Sequence, residues 1–105
     1  MTKPIVFISG PMHGYPNLNR AAFDNATELA EDLGYIALNP ASIPLGLNEE
    51  DYTPICLAML NAADFIYTLP GSEDSVGAML EQKFAIRQRI RFIKSLEDLE
   101  WYANV

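Results

Sequence analysis

A glutamate in the first half of a predicted helix is the side chain in this sequence best placed to do chemistry. Glu81 follows Gly77 by four positions, so the two residues share one helix face. Helical side chains lean toward the helix N-terminus, which directs Glu81 back over Gly77. The missing side chain of Gly77 leaves room there for a flat or ring-shaped ligand. A carboxylate in that place can attack a sugar carbon or stabilise positive charge that develops on it.

The predicted start of the same helix offers a second polar group. Ser75 lies at or just before the first helical residue. Free backbone N–H groups and the helix dipole favour an anion or a sugar hydroxyl at such a position. On spacing alone an alternative stays open, in which Gly77 only allows close helix–strand packing and Glu81 is solvated.

The remaining candidates for chemistry are one histidine and one cysteine. His13, the only histidine, follows the first predicted strand and could contact a ligand or donate a proton near neutral pH. The alternative for His13 is a simple polar loop residue. Cys56 has no disulfide partner and is predicted to be a small buried hydrophobic residue. A single histidine and a single cysteine give no transition-metal cluster, so no metal is predicted.

Predicted strands and helices alternate along the chain. Unbroken apolar runs are typical of strands buried on both faces, and they predict strands at 4–9, 35–38, 65–69 and 91–93. Helical spacing of apolar residues and capping signals predict helices at 20–33, 54–62, 75–90 and from Ser95 onward.

The predicted helix ends depend on particular residues. Asn19 is predicted to cap the first helix, and Gly34 to stop it in the left-handed conformation. Thr53 followed by Pro54 predicts the start of the second helix. The third helix is predicted to turn six apolar side chains inward: Val76, Met79, Leu80, Phe84, Ile86 and Ile90.

This alternation predicts a parallel sheet with right-handed crossovers and helices on both faces. Ligands of such sheets bind beyond the carboxyl ends of the strands, near the point where the strand order reverses. Two loops are therefore expected to converge there, at 10–19 and at 70–75.

Length and charge limit the classes of partner. The 105 residues suit one domain, which we place at 1–105. A net charge of −7 repels the phosphate backbone and argues against a nucleic acid polymer, although one small anion in a local pocket is still allowed. The apolar runs are too short to span a bilayer, and the first residues lack a signal-peptide pattern. Together with the single cysteine, this predicts a cytoplasmic protein without a membrane partner.

Two segments of the chain resemble a known superfamily. The segment 7–17, FISGPMHGYPN, and the segment 69–81, LPGSEDSVGAMLE, are similar to the nucleoside 2-deoxyribosyltransferase-like superfamily. Within it they look like a small branch of uncharacterised, often phage-encoded members. The Ser-x-Gly-x-x-x-Glu spacing alone is a weak signal, and the Ile-Ser-Gly-Pro-Met opening makes the pair fairly specific.

The resemblance implies a fold and a reaction. The fold would be a reduced flavodoxin-like three-layer α/β sandwich with strand order 2-1-3-4. The reaction would be cleavage or exchange of the N-glycosidic bond of a nucleoside or nucleotide, without a cofactor. Glu81 matches the nucleophile, and Ser75 matches a position that helps hold a 5′-phosphate in the nucleotide hydrolases. The expected substrate-binding residues are Ser9, Gly10, Pro11, Met12, His13, Ser75 and Gly77.

The sequence departs from the superfamily pattern at two positions. Phe7 stands where members usually have a tyrosine that orients the nucleophile, and Cys56 stands where active members have an aspartate that protonates the base. Asp51 could swing in from a loop, whereas Asp64 opens a strand at the far end of the sheet. The departures leave an alternative open, a catalytically silent nucleotide-binding or protein-interaction module that kept the fold.

The end of the sequence predicts self-association. It carries more large apolar side chains than one short helix can bury, namely Leu96, Leu99, Trp101, Tyr102 and Val105. The superfamily also commonly assembles, so we expect a homodimer or a higher homo-oligomer. The alternative is that Trp101 folds back on its own domain.

Overall fold

The computed structural model describes residues 3–93 and Ser95, and its strands form one parallel sheet. The strands are β1 (Ile5–Ser9), β2 (Ile36–Leu38), β3 (Phe65–Thr68) and β4 (Arg91–Ile93). The helices are α1 (Arg20–Asp32), α2 (Glu49–Asn61) and α3 (Val76–Arg87). The strand order is β2-β1-β3-β4, and every pairing is parallel, which confirms the predicted topology.

The central strand β1 explains why the first apolar run lacks polar alternation. Phe7 pairs with Leu38 on one side and with Ile66 on the other, so β1 has a neighbour on both edges. Side chains of a strand alternate between the two faces of its sheet. Val6 and Ile8 pack with α1, whereas Phe7 packs with α2 and α3. The sheet therefore separates α1 from the α2–α3 layer, in the predicted three-layer arrangement.

The first helix begins and ends close to its predicted bounds. The predicted cap is wrong, however, because Asn19 is itself left-handed, with φ of 62°, and makes no side-chain cap. Its amide instead donates to the carbonyl of Pro11 at 2.9 Å and so ties the loop back on itself. Gly34 has φ of 94°, which confirms the predicted left-handed stop.

The second helix begins five residues earlier than predicted. Asp51 accepts a hydrogen bond from the Asn48 N–H at 3.3 Å, so the helix start is capped at Asn48 rather than at Thr53. Pro54 lies inside the helix. This geometry also corrects the expectation that Asp51 could swing in from a loop.

The third helix is oriented differently from the prediction. Its buried side chains are Ala78 and Ala85, whose small size lets the helix axis approach the sheet closely. Four of the six apolar side chains predicted to face inward are exposed, namely Val76, Met79, Leu80 and Ile86. The other two, Phe84 and Ile90, are half-buried against the core. The helix ends at Arg87, and the turn after it contains the left-handed residue Arg89.

Two sequence predictions concern residues outside the described part of the chain. The final helix predicted from Ser95 onward and the apolar residues 96–105 lie outside the described residues, apart from Ser95 itself. Within the described part of the chain, no helix has the length and apolar content needed to cross a membrane.

Candidate functional site

A cavity of about 790 Å³ opens at the carboxyl ends of the strands. The loop after β1, the first half of α3 and one side of α2 form its walls. Both loops that were expected to converge contribute to it. Of the predicted site residues, it is lined by Gly10, Pro11, Met12, His13, Ser75, Gly77 and Glu81.

Glu81 is held by a hydroxyl group at the end of β1. Ser9 Oγ donates to Glu81 Oε1 at 2.7 Å, and Ser9 is completely buried. Ser9 lies two residues after Phe7 and so faces the same α2–α3 layer. Ser9 was predicted to be a substrate-binding residue, but its hydroxyl is directed to the carboxylate of Glu81.

The thiol of Cys56 is a second donor to the same carboxylate. Burial raises the pKa of Cys56 from 9.0 to about 12, and the charge of Glu81 and the hydrogen bond to it act in the same direction. The thiol is therefore neutral at physiological pH. Cys56 is buried, as predicted, whereas its hydrogen bond to Glu81 was not predicted.

The carboxyl group of Glu81 is balanced between its two protonation states. Burial raises its pKa from 4.5 to about 7, although the hydrogen bonds from Ser9 and Cys56 lower it. Removing a carboxylate from water disfavours the charged form, and donors restore part of that cost. Near neutral pH, both the nucleophilic carboxylate and the proton-donating acid are therefore populated at one position.

Gly77 faces open space one turn before Glu81. A Cβ built at Gly77 would meet nothing within 4 Å outside its own helix backbone. Close helix–strand packing therefore does not account for this glycine. The geometry agrees instead with room for a ligand beside the carboxylate.

Ser75 caps α3 at the cavity wall. Its Oγ accepts a hydrogen bond from the Ala78 N–H at 3.2 Å, so the oxygen is engaged in the helix start. The hydroxyl proton is the part of Ser75 that can be offered to a ligand.

The loop after β1 is fitted closely to the loop after β3. A Cβ at Gly10 would lie 2.8 Å from Leu69, so a larger residue at Gly10 would push the two loops apart. Gly71 has φ of 86°, and a Cβ there would lie 2.6 Å from the hydroxyl of Tyr15. Gly10 therefore acts first through packing, whatever contact it makes with a ligand.

The cavity also contains residues that were not predicted. Arg20, at the start of α1, adds a cation. Asp74, which lines the cavity next to Ser75, was expected beside the phosphate position, where its charge would repel a phosphate. Tyr52 and Thr53 line the wall from α2. Because α2 was predicted to begin only at Pro54, Tyr52 and Thr53 were left outside the predicted helix. The capping pair Asn48 and Asp51 is the sequence signal that indicates the earlier start.

The two positions that depart from the superfamily pattern lie in one core cluster, and Cys56 also lines the cavity. Phe7 is fully buried in the same core cluster as Cys56. Asp64 lies at the opposite end of the sheet, where its Oδ2 accepts from the Ile5 N–H at 2.9 Å. Among the described residues, no group of three His, Cys, Asp or Glu side chains is arranged to hold a metal ion.

Comparison with known proteins gives a family without an assigned function and a fold neighbour. A family model described as "Domain of unknown function (DUF4406)" matches residues 4–94. The solved structure of a "2-desoxiribosyltransferase from Leishmania mexicana" superimposes with a TM-score of 0.69 at 18% identity, over 86% of this chain. The match spans 62% of that neighbour's length. At this identity the likeness shows the flavodoxin-like fold, and a search of curated proteins finds no match.

Proposed function

The chain belongs to the DUF4406 family, whose description assigns no activity, and we propose that it binds a nucleoside or nucleotide and cleaves or transfers its N-glycosidic bond through Glu81. One observation carries the proposal. A half-buried carboxylate, held by Ser9 and Cys56, lines an open cavity at the carboxyl end of a parallel sheet. Perturbed carboxylates in such clefts are typical of reactive sites.

The proposed reaction has two steps at the anomeric carbon of the sugar. A Glu81 carboxylate oxygen bonds to the anomeric carbon as the glycosidic bond breaks, and the electron pair of that bond leaves with the base, which takes up a proton from solvent. Water or a second base then attacks the same carbon, displaces the Glu81 carboxylate and loses a proton to solvent, which gives the free sugar or a new nucleoside. In this scheme Ser9 is a positioning residue, because it is fully buried and reaches the substrate only through Glu81.

The proposed contacts to the ligand come from both converging loops. Pro11, Met12 and His13 form the wall on the β1 side, and Gly77 leaves room for a ring on the α3 side. The group at the sugar 5′ position would lie near Ser75. Arg20 also lines the cavity and favours a phosphate within it, whereas Asp74, next to Ser75 in the sequence, disfavours one. Both forms of the substrate therefore belong in the test.

A second candidate is a silent nucleotide-binding or protein-interaction module with the same fold. The observation that favours it is the neutral thiol of Cys56, whose pKa of about 12 leaves it unfit to protonate a departing base. Base departure without acid assistance forfeits roughly 10²–10⁴-fold in rate.

Four further expectations belong to this proposal and rest on the sequence. They are one domain over 1–105, a cytoplasmic location, membership of the small, often phage-encoded branch, and assembly into a homodimer or larger homo-oligomer. The ligand is expected to be a small molecule rather than a nucleic acid polymer.

A screen of deoxynucleosides and their 5′-monophosphates tests the proposal. Each compound is assayed for thermal shift of the protein and for release of free base by chromatography. Base release from any member supports the enzyme, and comparison of the two forms assigns the 5′ group. Thermal shift without base release supports the silent module. If no compound does either, the nucleoside proposal is wrong.

A further inference from the structure

A second, smaller cavity lies on the other side of the turn between β3 and α3. Its volume is about 340 Å³, and its wall is formed by the end of β3, the turn and one residue of α3. The residues that line it include Tyr67, Thr68, Pro70, Ser72, Glu73 and Gln82. No described residue lines both cavities. Glu81 and Gln82 are neighbours in α3, yet Glu81 lines the large cavity and Gln82 lines the smaller one.

The wall of the smaller cavity contains a buried donor without a partner. In the part of the chain that the structure describes, the side-chain nitrogen of Gln82, Nε2, is buried and makes no hydrogen bond. A buried amide without a partner lowers the free energy of unfolding, whereas an apolar side chain of the same shape carries no such penalty. The only other glutamine, Gln88, is exposed at the end of α3, where water can satisfy its amide. Packing alone therefore does not explain a glutamine at position 82.

The groups around Gln82 define the chemistry of a ligand. Nε2 is a donor and requires an acceptor, whereas the exposed carboxylate of Glu73 requires a donor. Ser72, which is only 7% exposed, and Thr68 each add a hydroxyl group to the wall. Glu73 repels an anion, and an ammonium ion has no acceptor for Nε2. A hydroxyl group both accepts and donates, so a neutral molecule with several hydroxyl groups satisfies all of these side chains.

The size of the cavity and its apolar surface narrow the class of ligand further. Small-molecule sites typically have volumes of about 300–1,000 Å³, and this cavity lies at the lower end of that range. It therefore suits a single small ring or a short polyol. Tyr67 and Pro70 supply apolar surface for the carbon atoms of such a molecule. Burial raises the pKa of Tyr67, so its phenol group is neutral at physiological pH.

We propose that the smaller cavity is a second binding site, which takes a pentose or a short polyol through Gln82, Glu73 and Ser72. The unpaired amide of Gln82 is retained because the ligand supplies its acceptor. This site goes beyond the proposed reaction, because none of its lining residues lines the cavity of Glu81 and its occupation requires no glycosidic chemistry.

Replacement of the amide tests whether Gln82 is unpaired in the free protein. Gln82→Met keeps the length of the side chain and removes the polar group, so it is expected to raise the melting temperature of the full chain by about 4–8 °C. Gln88→Met is the matched control, because it makes the same exchange at an exposed position of the same helix, and it should change the melting temperature little. An unchanged melting temperature in Gln82→Met would mean that water satisfies the amide, and the proposal would be wrong.

A nuclear magnetic resonance titration of the isotope-labelled full chain tests the ligand. The probes are ribose and glycerol, with methylammonium and acetate as the charged comparison. The side-chain amide signals of Gln82 are expected to shift and saturate with ribose or glycerol, while those of Gln88 stay in place. The charged probes should not shift them. Backbone signals near Ser72 then measure affinity in the variants, where Gln82→Met should weaken binding by about tenfold and Gln88→Met should bind as the wild type does.

Three results of the titration would overturn the proposal. The first is the absence of a saturable shift at Gln82 with both ribose and glycerol, including the case in which ribose shifts only residues of the large cavity. The second is equal affinity of Gln82→Met and the wild type. The third is saturation by methylammonium or acetate but not by the neutral probes, which would assign a charged ligand to the cavity.

Discussion

The two ends of the sheet each hold a carboxylate that connects separate elements, and the two are used differently. At the amino end, Asp64 is exposed and accepts a hydrogen bond from the backbone N–H of Ile5. At the carboxyl end, Glu81 is half-buried and accepts from the Ser9 hydroxyl and the Cys56 thiol. Asp64 joins the starts of β3 and β1, whereas Glu81 joins α3 to the end of β1.

The difference between the two carboxylates shows which of them lowers the stability of the fold. An exposed carboxylate that accepts a backbone N–H stabilises a turn and keeps its hydration. Glu81 is withdrawn from water far enough to raise its pKa to about 7, so its ionised form lowers the free energy of unfolding. Burial of this kind beside a cavity is typical of groups retained for reactivity rather than for folding.

The largest expected effect is a loss of turnover when Glu81, but not Asp64, is replaced by its amide. If the proposed reaction holds, Glu81→Gln is expected to lower base release by at least about 10³-fold, because a carboxamide keeps the shape but is a far poorer nucleophile. Ligand binding, measured by calorimetry, should change little. Asp64→Asn is the matched control at the other end and should keep full turnover, with a loss of about 1 kcal/mol in unfolding free energy.

Turnover that survives in Glu81→Gln would exclude a covalent intermediate on this residue. Equal loss of turnover in Asp64→Asn would show that the comparison reflects general destabilisation rather than chemistry.

The second expected effect is a pH dependence of stability that comes from Glu81. Because its pKa is about 7 when folded and 4.5 in the reference state, the folded protein binds one more proton than the unfolded chain between these values. Stability from this group is therefore fully present below pH 4.5 and is lost as the pH rises through 7. The span corresponds to about 3 kcal/mol, at about 1.4 kcal/mol per pKa unit.

Thermal unfolding of the wild type and Glu81→Gln over pH 4.5 to 8.5 measures this contribution. The glutamine variant should be the more stable protein at pH 8, and its advantage should shrink as the pH falls. A constant difference between the two proteins across this range would mean that the Glu81 pKa is not raised by folding.

The third expected effect assigns the role of the Ser9 hydroxyl. Because its hydrogen bond lowers the pKa of Glu81, Ser9→Ala should raise that pKa further. A smaller fraction of Glu81 is then ionised at neutral pH. The acid limb of the pH–rate profile is expected to move upward, with a loss of about tenfold in turnover at pH 7 and near-normal turnover at higher pH.

Thr27→Val is the control for loss of a hydroxyl donor, since Thr27 donates to the carbonyl of Phe23 within α1. It should leave the profile in place. A uniform loss of turnover at all pH values in Ser9→Ala would assign Ser9 a packing role instead.

The fold was predictable because its signals are local. The unbroken apolar run of β1 and the left-handed stop at Gly34 needed no knowledge of distant residues. The orientation of α3 was not predictable in the same way, because the pattern of large apolar residues predicted the wrong face. Ala78 and Ala85 face inward since the available space is set by the sheet and α2, and no local signal records that space.

In the candidate site, too, features within one element were predictable and contacts between elements were not. Glu81 and Gly77 were predicted from their spacing within one helix together with the superfamily resemblance. Strand alternation from Phe7 could have directed Ser9 to the same layer. The hydrogen bond from Cys56 depends on how α2 packs against α3, so it required the three-dimensional structure.

The smallest expected effect tests the open space at Gly77, which is the other half of the carboxyl-end site. A Cβ there meets nothing within 4 Å, so Gly77→Ala should stabilise α3 by about 0.5–1 kcal/mol through helix propensity. If a ligand ring lies beside Glu81, the same methyl group should weaken its binding, and a melting curve with a binding isotherm measures both. Gly71→Ala is the contrasting variant, because φ of 86° and the hydroxyl of Tyr15 make a side chain there destabilising. A stabilised Gly77→Ala protein that binds its ligand as well as the wild type would place the ligand elsewhere in the cavity, away from this face of α3.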